Sequence, residues 1–221
     1  MIEDYGINLW QMMENAGRSL AALARRRFLN GDPRGKRVIV LAGTGGNGGG
    51  GLVGARRLHN WGAEVQVYLT RPPEAYTGVP AQQLAILQRL PLRITVGADD
   101  AEWAGAAVII DAVIGYSLAG PPRGTAAALI LRANTCGSPI LALDTPSGLD
   151  AGSGIVYDPA IKAMATLTLA LPKAGLKAAP DHVGELYLAD ISVPRELYAG
   201  PGLGLAVGPI FAEDDIIRVE W

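Results

Sequence analysis

The feature that most constrains this chain is an alternation. Short, nearly continuous apolar runs of strand length are separated by stretches whose apolar residues recur at helical spacing. The runs are RVIVLA (37–42), AEVQVYLT (63–70), LRITV (92–96), AAVII (106–110), PILAL (139–143), ATLTLAL (165–171) and ELYLADI (185–191). Helices are predicted over 7–29, 52–61, 80–90 and 126–135. Strands this apolar are covered on both faces, which an antiparallel meander does not require. The pattern predicts an α/β fold, a mostly parallel doubly wound sheet with helices on either side.

At 221 residues the chain suits one domain with a sizeable core. Residues 1–221 read as a single unit, and 199–221, beginning in the stretch 199–209, as a loose C-terminal tail. A formal net charge of −2 offers nucleic acid no basic face, and Arg25, Arg26 and Arg27 read as the wet side of a helix. The one cysteine, Cys136, excludes an internal disulfide and fits a reducing compartment. No apolar run reaches transmembrane length, and Glu3 and Asp4 stand where a signal peptide carries positive charge. The expected location is the cytoplasm.

Ligands of open parallel sheets sit beyond the carboxyl ends of the strands. Three chemically loaded loops follow such ends here. The stretch 43–51, GTGGNGGGG, holds seven glycines. It is predicted as a turn leading into a helix, with bare N–H groups that suit a phosphate and no side chains to block close approach. Its match to G-x-G-x-x-G is weak evidence alone, since no acid follows at the end of the second strand and Thr70-Arg71 stands there instead. No Gly-Lys-Ser/Thr follows either, which excludes a P-loop. The other two loops, DAVIGYSLAGPPRG (111–124) and DTPSGLDAGSG (144–154), each open with an aspartate directly after a buried strand. A charge placed there needs a partner, hydrogen bonds or a cation.

Together the loops carry a resemblance. GTGGNGGGGLVGARRL (43–58) is similar to G-x-G-N-N-G-G-D-G-L-V-A-A-R-x-L, and IIDAVIGYSLAGPPRG (109–124) and ALDTPSGLDAGSG (142–154) resemble two further signatures of the same family. MMENAG (12–17), LPKAGL (171–176) and VGELYLADISVP (183–194) match flanking segments. The family is the YjeF N-terminal domain family, the NAD(P)H-hydrate epimerases. The resemblance implies a Rossmann-like three-layer sandwich, usually a homodimer. It also implies an isomerase that interconverts the R and S epimers of NADH and NADPH hydrated at C6.

By that resemblance, Gly46, Asn47, Gly48, Gly49 and Gly50 hold the substrate, with Gly115, Tyr116, Ser117, Leu118, Ala119, Gly120 and Pro121 of the second loop. Asp144 contacts the substrate and is the expected proton shuttle. Asn47, Asp111 and Ser147 match potassium ligands, and their hard oxygen donors suit K+ rather than zinc. Dehydration of the hydrate is expected to need a separate enzyme. Two departures fall in the glycine stretch, where Gly46 replaces the family's first asparagine and Gly50 its aspartate.

The alternative is a non-catalytic module of the same fold that binds a nucleotide-like ligand or dimerises. Joint retention of Asn47, Asp111, Asp144 and Ser147 favours the enzyme. A hydrolase pairing Ser147 with His182 has little behind it, because TPSGL is not the G-x-S-x-G elbow.

Overall fold

The computed structural model describes residues 1–98 and 103–220. The single-domain reading of 1–221 also spans 99–102 and Trp221, which lie outside the described residues. The elements run α1 (Ile2–Tyr5), α2 (Leu9–Arg27), β1 (Arg37–Ala42), α3 (Gly46–Asn60), β2 (Glu64–Leu69), α4 (Gly78–Leu87), β3 (Arg93–Val96), β4 (Val108–Ala112) and α5 (Gly124–Thr135). They continue with β5 (Ile140–Leu143), β6 (Ala165–Leu169), α6 (Pro180–Val183), β7 (Glu185–Ala189), α7 (Arg195–Ala199) and β8 (Ile216–Val219).

The strands form one eight-stranded sheet in the order β3-β2-β1-β4-β5-β6-β7-β8. All pairs are parallel except β7–β8. The chain starts at β1, winds outward to β3 and returns to β4 on the other side. The switch point therefore lies between β1 and β4, where their carboxyl ends part to form a crevice.

Alternation along the strands builds two cores. Val38, Val40 and Ala42 of β1 pack with Leu20 of α2, Leu52 and Leu58 of α3 and Leu84 of α4. Ile39 and Leu41 face the opposite way and pack with Trp103 and with Leu129, Ile130 and Ala133 of α5. Helices thus cover both faces, as the apolar runs predict.

Two boundaries differ from the sequence-based expectation. The stretch read as a loose tail over 199–221 contains β8, whose Ile216 and Ile217 pair with Ala189 and Leu188 at the edge of the sheet. Arg26 ties this segment to α2 through both oxygens of Asp214, at 3.1 and 2.9 Å. Aliphatic alternation over only four residues is too short a signal to separate from a polar tail.

The larger correction concerns the glycines. The helix predicted from residue 52 begins at Gly46, so the run 46–51 is helix rather than turn. Glycine inside a helix costs about 1 kcal/mol relative to alanine. Close packing explains why it stays. A Cβ on Gly49 would stand 2.6 Å from Met13 Sδ, and one on Gly51 2.5 Å from Ala112 Cβ. From the α2 side, a Cβ on Gly17 would meet Val53 Cβ at 2.4 Å. The bare glycine surface lets α3 settle against α2 and the sheet, which a propensity argument along the chain cannot register.

Candidate functional site

A cavity of about 610 Å³ opens at the carboxyl ends of β1, β4 and β5. Gly43 to Asn47 form one wall, Val113 to Ser117 another, and Leu143, Asp144 and Leu169 line its sheet side. An apolar wall absent from the sequence-based list comes from Ile2, Leu9, Met12 and Met13, ahead of and within α2.

The α3 N-terminus reaches this cavity. Gly45 is the N-cap residue and makes no side-chain capping bond, while Gly46, Asn47 and Gly50 line the space. Gly48 and Gly49 are buried in the helix and lie outside the lining. Gly48 has a different task. A Cβ there would fall 1.8 Å from the Gly43 carbonyl oxygen, so its glycine permits the turn that closes back on β1.

In the second loop, Gly115, Tyr116 and Ser117 line the cavity, and Tyr116 is 75 % exposed at its mouth. Leu118, Ala119, Gly120 and Pro121 lie beyond the lining, on half-buried or exposed backbone.

Asp111 and Ser147 sit together beneath the cavity, both fully buried. The Ser147 N–H donates to Asp111 Oδ2 at 2.8 Å, the Ser147 hydroxyl to Oδ1 at 2.6 Å, and the Val113 N–H to Oδ1 at 3.2 Å. Burial pushes the Asp111 carboxyl up to about 6, and the hydrogen bonds from Ser147 and Val113 partly offset it. Ser147 Oγ also accepts from the Ile114 N–H at 2.8 Å, so β4's loop and β5's loop are knitted through one hydroxyl.

Asn47 approaches from the third side. A Cβ on Gly115 would lie 3.1 Å from Asn47 Cγ and 3.2 Å from Oδ1, which explains glycine there. The Asn47 Nδ2 is buried without a hydrogen-bond partner. Nδ2 is a donor and calls for an acceptor, not a cation. The oxygens of the Asn47 amide, the Asp111 carboxylate and the Ser147 hydroxyl are the hard donors that suit a monovalent cation. Among the described residues no cluster of three or more His, Cys, Asp or Glu side chains is arranged to hold a metal.

Asp144 follows β5 directly and is 4 % exposed. Its φ of 66° is left-handed, a conformation that aspartate tolerates better than most residues. The Asp144 N–H donates to the Leu167 carbonyl at 2.7 Å, which fixes the residue at the strand end. Oδ1 accepts a short ion-pair hydrogen bond from Lys173 and a longer one, 3.4 Å, from the Leu169 N–H. Oδ2 takes no hydrogen bond from the described residues, and Asp144 lines the cavity.

Lys173 was not singled out by sequence reasoning, although LPKAGL was noted. The rule that found Asp144, a charge just past the end of a buried strand, also finds Lys173 four residues beyond Leu169. Asp111, expected to open the loop after Ile110, is instead the fourth residue of β4 itself and pairs with Leu41 and Ala142. His182 is far from a nucleophile's partner: its Nδ1 lies 2.8 Å from the Ile161 carbonyl, a structural contact.

A parallel, doubly wound sheet with its crevice at the switch point defines the class, a Rossmann-like α/β domain. Within that class the chain belongs to the family described as YjeF-related protein N-terminus, whose pattern matches residues 10–175. It is 44% identical over 211 residues to an NAD(P)H-hydrate epimerase of Dehalogenimonas lykanthroporepellens, covering 96% of this chain and 84% of that one. It is 40% identical over 206 residues to the enzyme of the same name from Truepera radiovictrix, covering 93% and 90%. The crystal structure of yeast ynu0, YNL200c, superposes with a TM-score of 0.79 at 27% identity, covering 97% of this chain and 91% of that one.

Proposed function

We propose that this protein is an NAD(P)H-hydrate epimerase, an isomerase that interconverts the R and S forms of NADH and NADPH hydrated at C6. One observation carries the reading: a buried aspartate, Asp144, stands at the cavity with one oxygen tied and the other free. Relatives that share most of the chain bear the same enzyme name, which favours an enzyme over a non-catalytic module.

The substrate carbon bears a hydroxyl and a ring nitrogen. When the C6–O bond breaks, the bonding pair goes to oxygen, and the nitrogen lone pair forms a C=N bond. The Asp144 carboxylate, once it takes a proton from solvent on Oδ2, gives that proton to the hydroxyl, which leaves as water. Water then adds to the opposite face of the planar iminium and passes its proton to Oδ2 by way of a second water, inverting the centre. The apolar wall of Ile2, Leu9, Met12 and Met13 limits bulk water around this intermediate.

Gly46, Asn47, Gly50, Gly115, Tyr116 and Ser117 line the proposed substrate site. Gly48 and Gly49 support that wall from within α3. Leu118, Ala119, Gly120 and Pro121 would meet the outer parts of a dinucleotide longer than the cavity. Asn47, Asp111 and Ser147 would hold a potassium ion, whose charge offsets the buried Asp111 carboxylate and holds the two loops in register. No step of the chemistry requires the ion. A cytoplasmic homodimer fits this reading, working beside a separate dehydratase activity that removes one epimer. No helix among the described residues is long and apolar enough to cross a membrane.

The test is epimerisation of purified R-NADHX and R-NADPHX, followed by chromatography with and without potassium. Conversion above the spontaneous rate is expected. An unchanged R fraction under every condition overturns the reading.

A further inference from the structure

Lys173 reaches Asp144 from a turn that is itself held from several sides. Ala170, at φ 66°, reverses the chain just beyond β6. The Ala170 N–H donates to the Ala189 carbonyl at 3.2 Å, and the Tyr198 hydroxyl donates to the Ala170 carbonyl at 3.1 Å. Farther along, the Gly175 N–H donates to the Ala151 carbonyl at 2.9 Å. A Cβ on Gly175 would come within 2.5 Å of the Asp150 carbonyl oxygen, so glycine allows this contact with the loop that carries Asp144. The turn is pinned to β7, α7 and the 144–154 loop at once.

An ammonium has three N–H donors, and Lys173 spends all of them. One goes to Asp144 Oδ1, one to Thr168 Oγ1 at 3.1 Å and one to the Leu169 carbonyl at 2.8 Å. None is left for a substrate, and Lys173 does not line the cavity. Direct acid catalysis by the lysine is therefore disfavoured. What the geometry does is take one carboxylate oxygen out of play and leave the other without a hydrogen bond, in a residue that lines the cavity.

We propose that Lys173 is a positioning residue for the epimerisation, locking the Asp144 carboxylate through Oδ1 so that Oδ2 alone exchanges the proton with substrate and water. The proposal rests on the epimerase reading. Its advantage is orientational: Lys173 is the one side chain among the described residues that bonds the Asp144 carboxylate. An unlocked carboxylate would present either oxygen over a range of angles. The ammonium also balances the charge on Asp144 whenever the proton resides on the departing water.

The test uses the full chain and R-NADHX. Lys173→Met is expected to lower kcat about 100-fold, the scale of a misplaced catalytic group, with KM little changed. In an Asp144→Asn background, which no longer exchanges a proton, Lys173→Met should add almost nothing further. Methylammonium should restore part of the turnover of Lys173→Ala by reoccupying the ammonium site. Lys173→Arg serves if the methionine variant does not fold: a planar guanidinium cannot make the same three bonds, so kcat falls while KM holds. An unchanged kcat in Lys173→Met, or a full additional loss in the Asp144→Asn background, overturns the proposal and leaves the epimerase reading standing. Wild-type turnover in Asp144→Ala would instead overturn the shuttle on which it rests.

Discussion

Leu143 Cδ2 stands 2.9 Å from the position that a Cβ on Gly50 would occupy. The two residues share one volume: α3 lacks a side chain there, and the last residue of β5 fills the space. Restoring the family's acid with Gly50→Asp therefore crowds a fully buried leucine. Overpacking of this kind costs about 1–3 kcal/mol, against a partial gain in helix propensity. Chemical denaturation should show Gly50→Asp less stable than the natural chain. Shortening the neighbour in Gly50→Asp/Leu143→Val should recover most of the difference, and no recovery would mean the two do not compete.

Gly46 and Gly48 lie two residues apart but predict opposite results. A Cβ on Gly46 meets only Met13 Cε at 3.7 Å, an ordinary contact, so Gly46→Asn should fold with stability within about 1 kcal/mol of the parent. A Cβ on Gly48 runs into the Gly43 backbone, which cannot step aside. Gly48→Ala should give little folded protein, as judged by thermal melting and solubility.

Asp144→Asn keeps the shape of the side chain and removes its proton exchange. Turnover of R-NADHX should fall by about 10²–10⁴, and the melting temperature should fall as well, because the Lys173 ammonium loses its partner. A variant that retains turnover would exclude Asp144 from the chemistry.

The buried Asp111 carboxylate has hydrogen bonds but, among the described residues, no cationic side chain as a bonding partner. Potassium should therefore raise the melting temperature of the parent in a concentration-dependent way, through binding to the native state alone. Asp111→Asn should flatten that response. An equal potassium response in both proteins would place any cation elsewhere.

Glu185, at the start of β7, accepts from Arg27 Nε at 2.8 Å and from its terminal nitrogen at 3.1 Å. The Arg27 hydrogen bond holds the Glu185 carboxyl down to about 2, against burial and with help from the Tyr187 hydroxyl. The native state thus binds this proton more weakly than the unfolded chain does. Its stabilisation is complete above the ordinary glutamate value and is lost as pH falls from there towards about 2. Arg27→Met should reduce the acid sensitivity of unfolding in that window, measured by denaturant midpoints at stepped pH.

Much of this was legible without coordinates, for a physical reason. Strands buried on both faces are largely apolar, so β1, β4, β5 and β6 announce themselves as runs. A charge at or just past the end of such a strand is costly unless it has work to do, so Asp111 and Asp144 stand out. The resemblance carried by the three signature loops then named the chemistry.

What stayed hidden depends on distance through space. The helical state of 46–51 is decided by the approach of α2 and the sheet to bare glycine, which overrides a poor local propensity. β8 takes its place because β7 offers an open edge and Arg26 holds Asp214. Lys173 becomes the partner of Asp144 only after the 170–173 turn folds back over the end of β6. The sequence by itself determined the layers, the strand ends and the candidate aspartates, because burial and charge are written residue by residue. Only the tertiary structure decided which oxygen of Asp144 is free, because that depends on a lysine brought back by a turn from the next strand.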